Sequence, residues 1–175
     1  MLKEKVASVI RNVPDFPKPG INFKDITPVL MDYSLCAEIT LEMANQYRNK
    51  GVTSIVGVES RGFLFGMLLS QELKVPFITV RKKGKLPYKT VSYKYDLEYG
   101  SAEIEMHIDA VSKGDKVLIH DDLLATGGTA MAAAEIVKMQ GGEIAGFAFL
   151  VELEFLNGYQ KLLKHSSNIY KLIEY

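Results

Sequence analysis

Two acidic residues stand side by side, Asp121 and Asp122, and after two leucines comes Ala125-Thr126-Gly127-Gly128-Thr129. The pair and the loop suit different parts of one ligand. Ionised carboxylates accept hydrogen bonds and donate none, which matches two adjacent hydroxyls such as those at C2 and C3 of a ribose. Small residues at a helix start bring successive backbone N–H groups, here with two hydroxyls, to its positive end, where a monophosphate is stabilised. The acids therefore belong at a sugar and the loop at its phosphate. Neighbouring strand residues point to opposite faces, so both acids reach one ligand only if the strand ends and turns there. The segment has neither the Gly-x-x-x-x-Gly-Lys-Ser/Thr spacing of a triphosphate loop nor a full Gly-x-Gly-x-x-Gly dinucleotide fingerprint. The plainer alternative is a strand-to-helix turn in which glycines permit close packing and Asp122 is a solvated acid.

A second group is cationic. Arg81, Lys82, Lys83, Lys85 and Lys89 crowd into "RKKGKLPYK", and Arg61 adds a charge from "ESRGF". Such a run is often only a solvated face. It also fits the far end of a sugar phosphate that carries a second anionic group.

Positioning these groups takes strands that end near one another. Residues 33 to 50 repeat apolar groups at Leu35, Ile39, Met43 and Tyr47, an amphipathic helix stopped by Gly51. "TSIVGVES", "GFLFGMLLSQEL" and "VPFITVRK" then read as strand, helix and strand, and "KVLIHDDLL", "GGTAMAAAEIVKMQGG" and "EIAGFAFLVELEFL" repeat that order. Right-handed crossovers of this kind give an open, twisted, mainly parallel α/β sheet with helices on both faces and ligands at the strands' carboxyl ends. Residues 83 to 102 form a long excursion read as a mobile lid, and the segments alternating on both sides of "DLEYG" read as two antiparallel strands. "DFPKPGINFKDITPVL", interrupted by prolines, caps one edge of the sheet.

A chain of 175 residues, 47% hydrophobic and 24% charged, fits one globular domain over 1 to 175. Its longest apolar runs fall short of the roughly 20 residues that cross a bilayer, and "MLKEKVASVIRNV" is no secretory signal, so a cytoplasmic protein without membrane contact is expected. Lys plus Arg balances Asp plus Glu at 21 each, which argues against nucleic-acid binding. Cys36 lies on a helical apolar face, and His107, His120 and His165 lack metal-ligand spacing with it or each other, so no protein-held zinc is expected.

The string from Val117 to Thr129, an apolar strand, two acids and Thr-Gly-Gly-Thr, resembles the phosphoribosyl pyrophosphate signature of the type I phosphoribosyltransferases. "FPKPGINFKDITPVL", "ESRGFLFG", "RKKGKLP" and "YDLEYG" narrow the resemblance to the adenine-using members, over nearly the whole chain from Phe16. The resemblance implies purine salvage: transfer of the 5-phosphoribosyl group of phosphoribosyl pyrophosphate to adenine, giving AMP and pyrophosphate through an oxocarbenium-like transition state. It implies donor binding by Arg61, Arg81, Lys82, Lys85, Asp121, Asp122, Ala125, Thr126, Gly127, Gly128 and Thr129, some reaching across a homodimer. It implies a base-binding hood within residues 1 to 32, where Asn22, Phe23 and Lys24 meet adenine, with Leu123 on the other face of the ring. Glu98 would be the general acid/base and Tyr99 would help cover the site. Mg²⁺ would be held mainly by pyrophosphate and ribose oxygens, with no direct protein ligand. A cis peptide is implied near Glu59-Ser60. Lys24 stands where the family pattern has arginine, a change that bears on stacking over the base. The alternatives are transfer to hypoxanthine, guanine or xanthine, which the hood and "LEYG" oppose, and a ligand-sensing regulator, for which the chain has no spare nucleic-acid-binding segment.

Overall fold

The structure is a computed structural model that describes residues 1–97 and 100–175. Its central sheet has, among the described residues, seven strands in the order β5-β6-β4-β3-β7-β8-β9: Thr90–Asp96, Ser101–His107, Phe77–Lys82, Ser54–Val58, Lys116–Leu124, Glu143–Glu152 and Ile169–Glu174. β4, β3, β7, β8 and β9 run parallel, and β5 and β6 add an antiparallel edge. The mainly parallel α/β architecture expected from the sequence is thus the one adopted.

Period-two alternation in the central strands feeds two cores. Val117 and Ile119 of β7 face α5 (Gly128–Met139), where Ala132, Ala133, Ile136 and Val137 are fully buried beside Phe147 and Phe149. Leu118 faces the other way, toward Ile39 and Met43 of α3 (Tyr33–Asn45) and Phe65 and Leu69 of α4 (Gly62–Leu73). Each large apolar side chain removed from water contributes on the order of 1.5–3 kcal/mol, so two covered faces hold the sheet rigid beneath its loops. The alanine run lets α5 lie close to the strands and brings its N-terminus to the carboxyl end of β7.

α3 opens on Asp32, whose carboxylate accepts the Leu35 N–H at 3.0 Å. It closes at Asn45, earlier than the expected stop at Gly51, because i→i−3 bonds at Gln46 and Tyr47 tighten the last turn. Tyr47 is still buried and donates its hydroxyl to the Phe147 carbonyl at 2.6 Å. The N-terminal cap comprises α1 (Leu2–Val9), a hairpin of β1 (Arg11–Pro14) and β2 (Asn22–Asp25), and the one-turn α2 (Thr27–Leu30). The two antiparallel strands read on either side of "DLEYG" are β5 and β6, which pair from Thr90↔His107 to Asp96↔Ser101, and β6 pairs in turn with β4.

His120 of β7 lies wholly inside, its Nδ1 2.9 Å from the Ala148 carbonyl and its Nε2 without a partner among the described residues. Burial pushes its pKa from 6.5 down to about 4, with the Ala148 bond pulling partly the other way. The unfolded chain takes up this proton near pH 6.5 and the folded chain not until about 4. The neutral ring's contribution to stability is therefore full above pH 6.5 and lost as pH falls toward 4, about 3 kcal/mol in all. Urea unfolding at neutral pH and near pH 4 should show this loss, and His120→Leu should remove it from the difference between the two conditions.

Candidate active site

β7 carries the acids and the loop carries the small residues, but the strand does not end where the sequence reading put it. Ladder pairing continues past Asp121 and Asp122 to Leu123↔Val151 and Leu124↔Glu152, because β8 is long enough to partner it. The two carboxylates nonetheless stay close enough to interact with each other. Asp121 lines the cavities described below, and its Oδ1 accepts the Asp122 N–H at 2.9 Å. Asp122 is 3% exposed and forms an ion pair with Arg61, Nε to Oδ2 at 2.9 Å. Burial and the adjacent Asp122 charge push the Asp121 carboxyl well above the usual carboxylate range. Burial raises Asp122 as well, against the pull of the Arg61 guanidinium.

Beyond Leu124 the chain turns through Gly127, at φ +75°, into α5. The first amides of a helix have no acceptor within it, so the turn presents N–H groups at its mouth. A cavity of about 70 Å³ opens there, lined by Asp121, Leu123 and residues 124–130 with Phe149. At roughly 10–15 Å³ per water-sized group this holds about five heavy atoms, the number in a phosphate. Ala125, Thr126, Gly127, Gly128 and Thr129 are brought together as expected, and Leu123 joins them on this wall.

A second cavity, of about 450 Å³, lies beside the first, and Asp121 and Thr129 line both. Arg81, Lys82 and Lys83 form its cationic wall and Glu59 one of its acidic ones. Glu59 organises the cations: Oε2 accepts Arg81 Nε at 3.1 Å and the Lys82 N–H at 2.9 Å. Burial pushes the Glu59 carboxyl up, but those bonds and charges leave it below its ordinary value. The Glu59-Ser60 peptide is cis, as the resemblance implied. Lys85 is exposed on the loop after β4, and its carbonyl accepts from Arg81 Nη1 at 3.3 Å.

On the hood, the Arg61 guanidinium lies 5.0 Å from the centre of the Phe23 ring. Lys24 points elsewhere: its Nζ donates to Asn12 Oδ1 at 2.6 Å and sits 3.8 Å above the Tyr175 ring. Asn22 opens β2 and is exposed. Glu98 and Tyr99 lie outside the described residues.

Sequence reasoning passed over Glu59 and Tyr95. The Tyr95 hydroxyl meets Thr129 Oγ1 at 2.9 Å, joining the β5–β6 hairpin to the 125–129 turn. Its place on the inward-facing register of β5 was the only available signal. Among the described residues, the one set of three metal-ligating side chains close enough to share a cation is Glu152, Glu154 and Glu174, and Lys171 already bridges Glu152 and Glu174.

Fold and cavities together define an α/β domain with a small cavity at a helix start and a larger, cation-walled one beside it, both at the carboxyl ends of parallel strands. The phosphoribosyl transferase domain matches residues 29–174. A Cytophaga hutchinsonii adenine phosphoribosyltransferase is 49% identical over 175 residues, covering 100% of this chain and 97% of the relative. The crystal structure of the Thermoanaerobacter pseudethanolicus adenine phosphoribosyltransferase superposes with TM-score 0.95 at 47% identity, covering 99% of each chain. The Giardia lamblia APRTase complexed with 9-deazaadenine superposes with TM-score 0.94 at 34% identity, covering 100% of this chain and 98% of that one. The chain belongs to the phosphoribosyl transferase family, among the adenine phosphoribosyltransferases.

Proposed function

We propose that the protein transfers the 5-phosphoribosyl group from phosphoribosyl pyrophosphate to adenine, giving AMP and pyrophosphate, as a step of purine salvage. The observation that carries this reading is that Asp121 and Thr129 border both cavities. A ribose placed there reaches the small cavity with its 5-phosphate and the cationic one with the pyrophosphate on C1. Its diol donates to Asp121 first. Asp122 becomes available as Arg61 turns toward the donor.

Adenine enters beneath the hood, between Phe23 and the strand end at Leu123, with the Asn22 main chain reading its edge. Lys24, tied to Asn12 and Tyr175, braces the hood from behind. A ring nitrogen of adenine forms the new bond to C1 as the C1–oxygen bond breaks and the electron pair leaves with pyrophosphate. Positive charge builds on the sugar and negative charge on the leaving group, which Arg81, Lys82 and Lys85 stabilise. Glu98 takes the proton that the ring nitrogen gives up, and Tyr99 helps exclude water that would compete for C1.

Mg²⁺ fits this site, since the large cavity offers the hard oxygen of Asp121 next to the place where phosphate oxygens would lie. Pyrophosphate and ribose oxygens would be its direct ligands, with Asp121 accepting from its waters. When bound it neutralises charge on the departing group.

The functional unit is a homodimer in this reading. Leu64, Met67 and Leu68 of α4 and Leu41 of α3 expose an apolar face that a second copy would cover. The reading also takes the protein to be cytoplasmic. No helix of the described residues is long and apolar enough to cross a membrane.

Incubation with Mg²⁺, phosphoribosyl pyrophosphate and one purine at a time tests the assignment. AMP from adenine alone is the expected result. Nucleotide from hypoxanthine, guanine or xanthine with none from adenine would overturn it.

A further inference from the structure

β6 contains a carboxylate that neither the resemblance nor the reaction uses. Glu105 is 3% exposed and lies between Arg81 of β4 and Ser92 of β5 in the sheet register. Its Oε1 accepts three consecutive backbone N–H groups, from Gly84 at 3.0 Å, Lys85 at 3.1 Å and Leu86 at 3.0 Å. Its Oε2 accepts the Thr90 hydroxyl at 3.2 Å. One side chain thus holds the loop that carries Lys85 at its turn, through Gly84 at φ +83°, and at its end, where β5 begins.

Three successive N–H groups converging on a point make a concavity that binds anions, and in isolation it would compete for a phosphate. Here an internal carboxylate fills it. Pyrophosphate must then be met by side chains: Arg81 and Lys82 from the end of β4, and Lys85 from the loop itself. The Lys85 carbonyl returns to Arg81 Nη1, and Arg81 and the Lys82 amide bind Glu59, so the cations share one backbone scaffold with Glu105 at its base.

We propose that Glu105 is a positioning residue for the leaving group: it fills the 84–86 amide nest and so sets the cationic wall in the geometry that binds pyrophosphate. This rests on the assignment of the large cavity to pyrophosphate. Two consequences separate it from a general stabilising role. Pyrophosphate should lose affinity when Glu105 is altered, while ribose 5-phosphate, held by Asp121 and the 125–129 loop, should not. The loss should also be graded, because glutamine keeps an acceptor for the three amides without the charge, and alanine keeps neither.

Titration calorimetry with pyrophosphate and separately with ribose 5-phosphate, on wild type, Glu105→Gln and Glu105→Ala, is the test. The expected result is pyrophosphate binding weakened about 3- to 10-fold in Glu105→Gln and about 30-fold or more in Glu105→Ala, with ribose 5-phosphate within about 2-fold of wild type. Should Glu105→Ala not fold, the glutamine variant decides alone. Unchanged pyrophosphate affinity in Glu105→Gln, or equal loss for both ligands, would overturn the proposal. Failure of wild type to bind pyrophosphate would instead overturn the assignment of the cavity.

Discussion

Replacing Gly127 by alanine is expected to remove ribose 5-phosphate binding and to destabilise the fold by about 2–5 kcal/mol. Two effects act at this residue. Its φ of +75° is a conformation that costs an L side chain roughly 1–2 kcal/mol. A Cβ there would also stand 2.7 Å from the Gly158 carbonyl oxygen, and backbone is the neighbour least able to give way. Gly158, at the start of α6 (Gly158–Leu162), is just as tight against this same turn, since a Cβ on it would stand 2.2 Å from the Ala125 carbonyl oxygen. The loop must shift instead, and with it the amides that the phosphate would use. Hydrogen bonds to a charged group are each worth about 1.5–3 kcal/mol, so misaligning even one or two lowers affinity roughly 100-fold. Gly114→Ala is the control. It has φ +87° with nothing within 4 Å of its Cβ, so it should pay the backbone term and leave ligand binding alone. Thermal unfolding and calorimetry on both variants distinguish loop geometry from general strain.

The second large effect is expected at Asp121. Removing its carboxylate with Asp121→Ala takes away the group that borders both cavities and leaves the Arg61–Asp122 pair in place. A diol donating to the carboxylate favours its ionised form, which burial otherwise opposes, so ligand binding and proton release at Asp121 are linked. Losing charge-assisted bonds of about 1.5–3 kcal/mol should raise the Kd for ribose 5-phosphate by about 10- to 150-fold. Pyrophosphate alone, proposed to meet Arg81 and Lys82, should bind nearly as before. Calorimetry with each ligand reads the difference, and a parallel loss of both would mean that Asp121 supports the site only through packing.

How much of this was legible depended on the range over which each feature is determined. The strand, helix, strand order and the turn at Gly127-Gly128 are local, written in β-branched runs and glycines, and both were readable. The pairing of Asp122 with Arg61 was not, since it depends on β7 running on to Leu124, and the length of β8 across the sheet decides that. Lys24 read as a cover for the base because only its position along the chain was visible. Its partners, Asn12 and Tyr175, come from the paired strand and from the far end of the sequence. The cationic run showed its charge but not its support, because the sheet brings Glu59 and Glu105 beneath Arg81 and the 84–86 amides from distant parts of the chain. Glu98 and Tyr99 stand on the resemblance alone.

The central claim is that one ribose phosphate spans the two cavities, its terminal phosphate on the helix-start amides and its diol at Asp121. A crystal structure with bound ribose 5-phosphate tests this most directly. The account requires phosphate oxygens within hydrogen-bond reach of the backbone N–H groups of residues 126–129 and a sugar hydroxyl on the Asp121 carboxylate. Phosphate found among Arg81, Lys82 and Lys85, with the 125–129 turn empty, would contradict it.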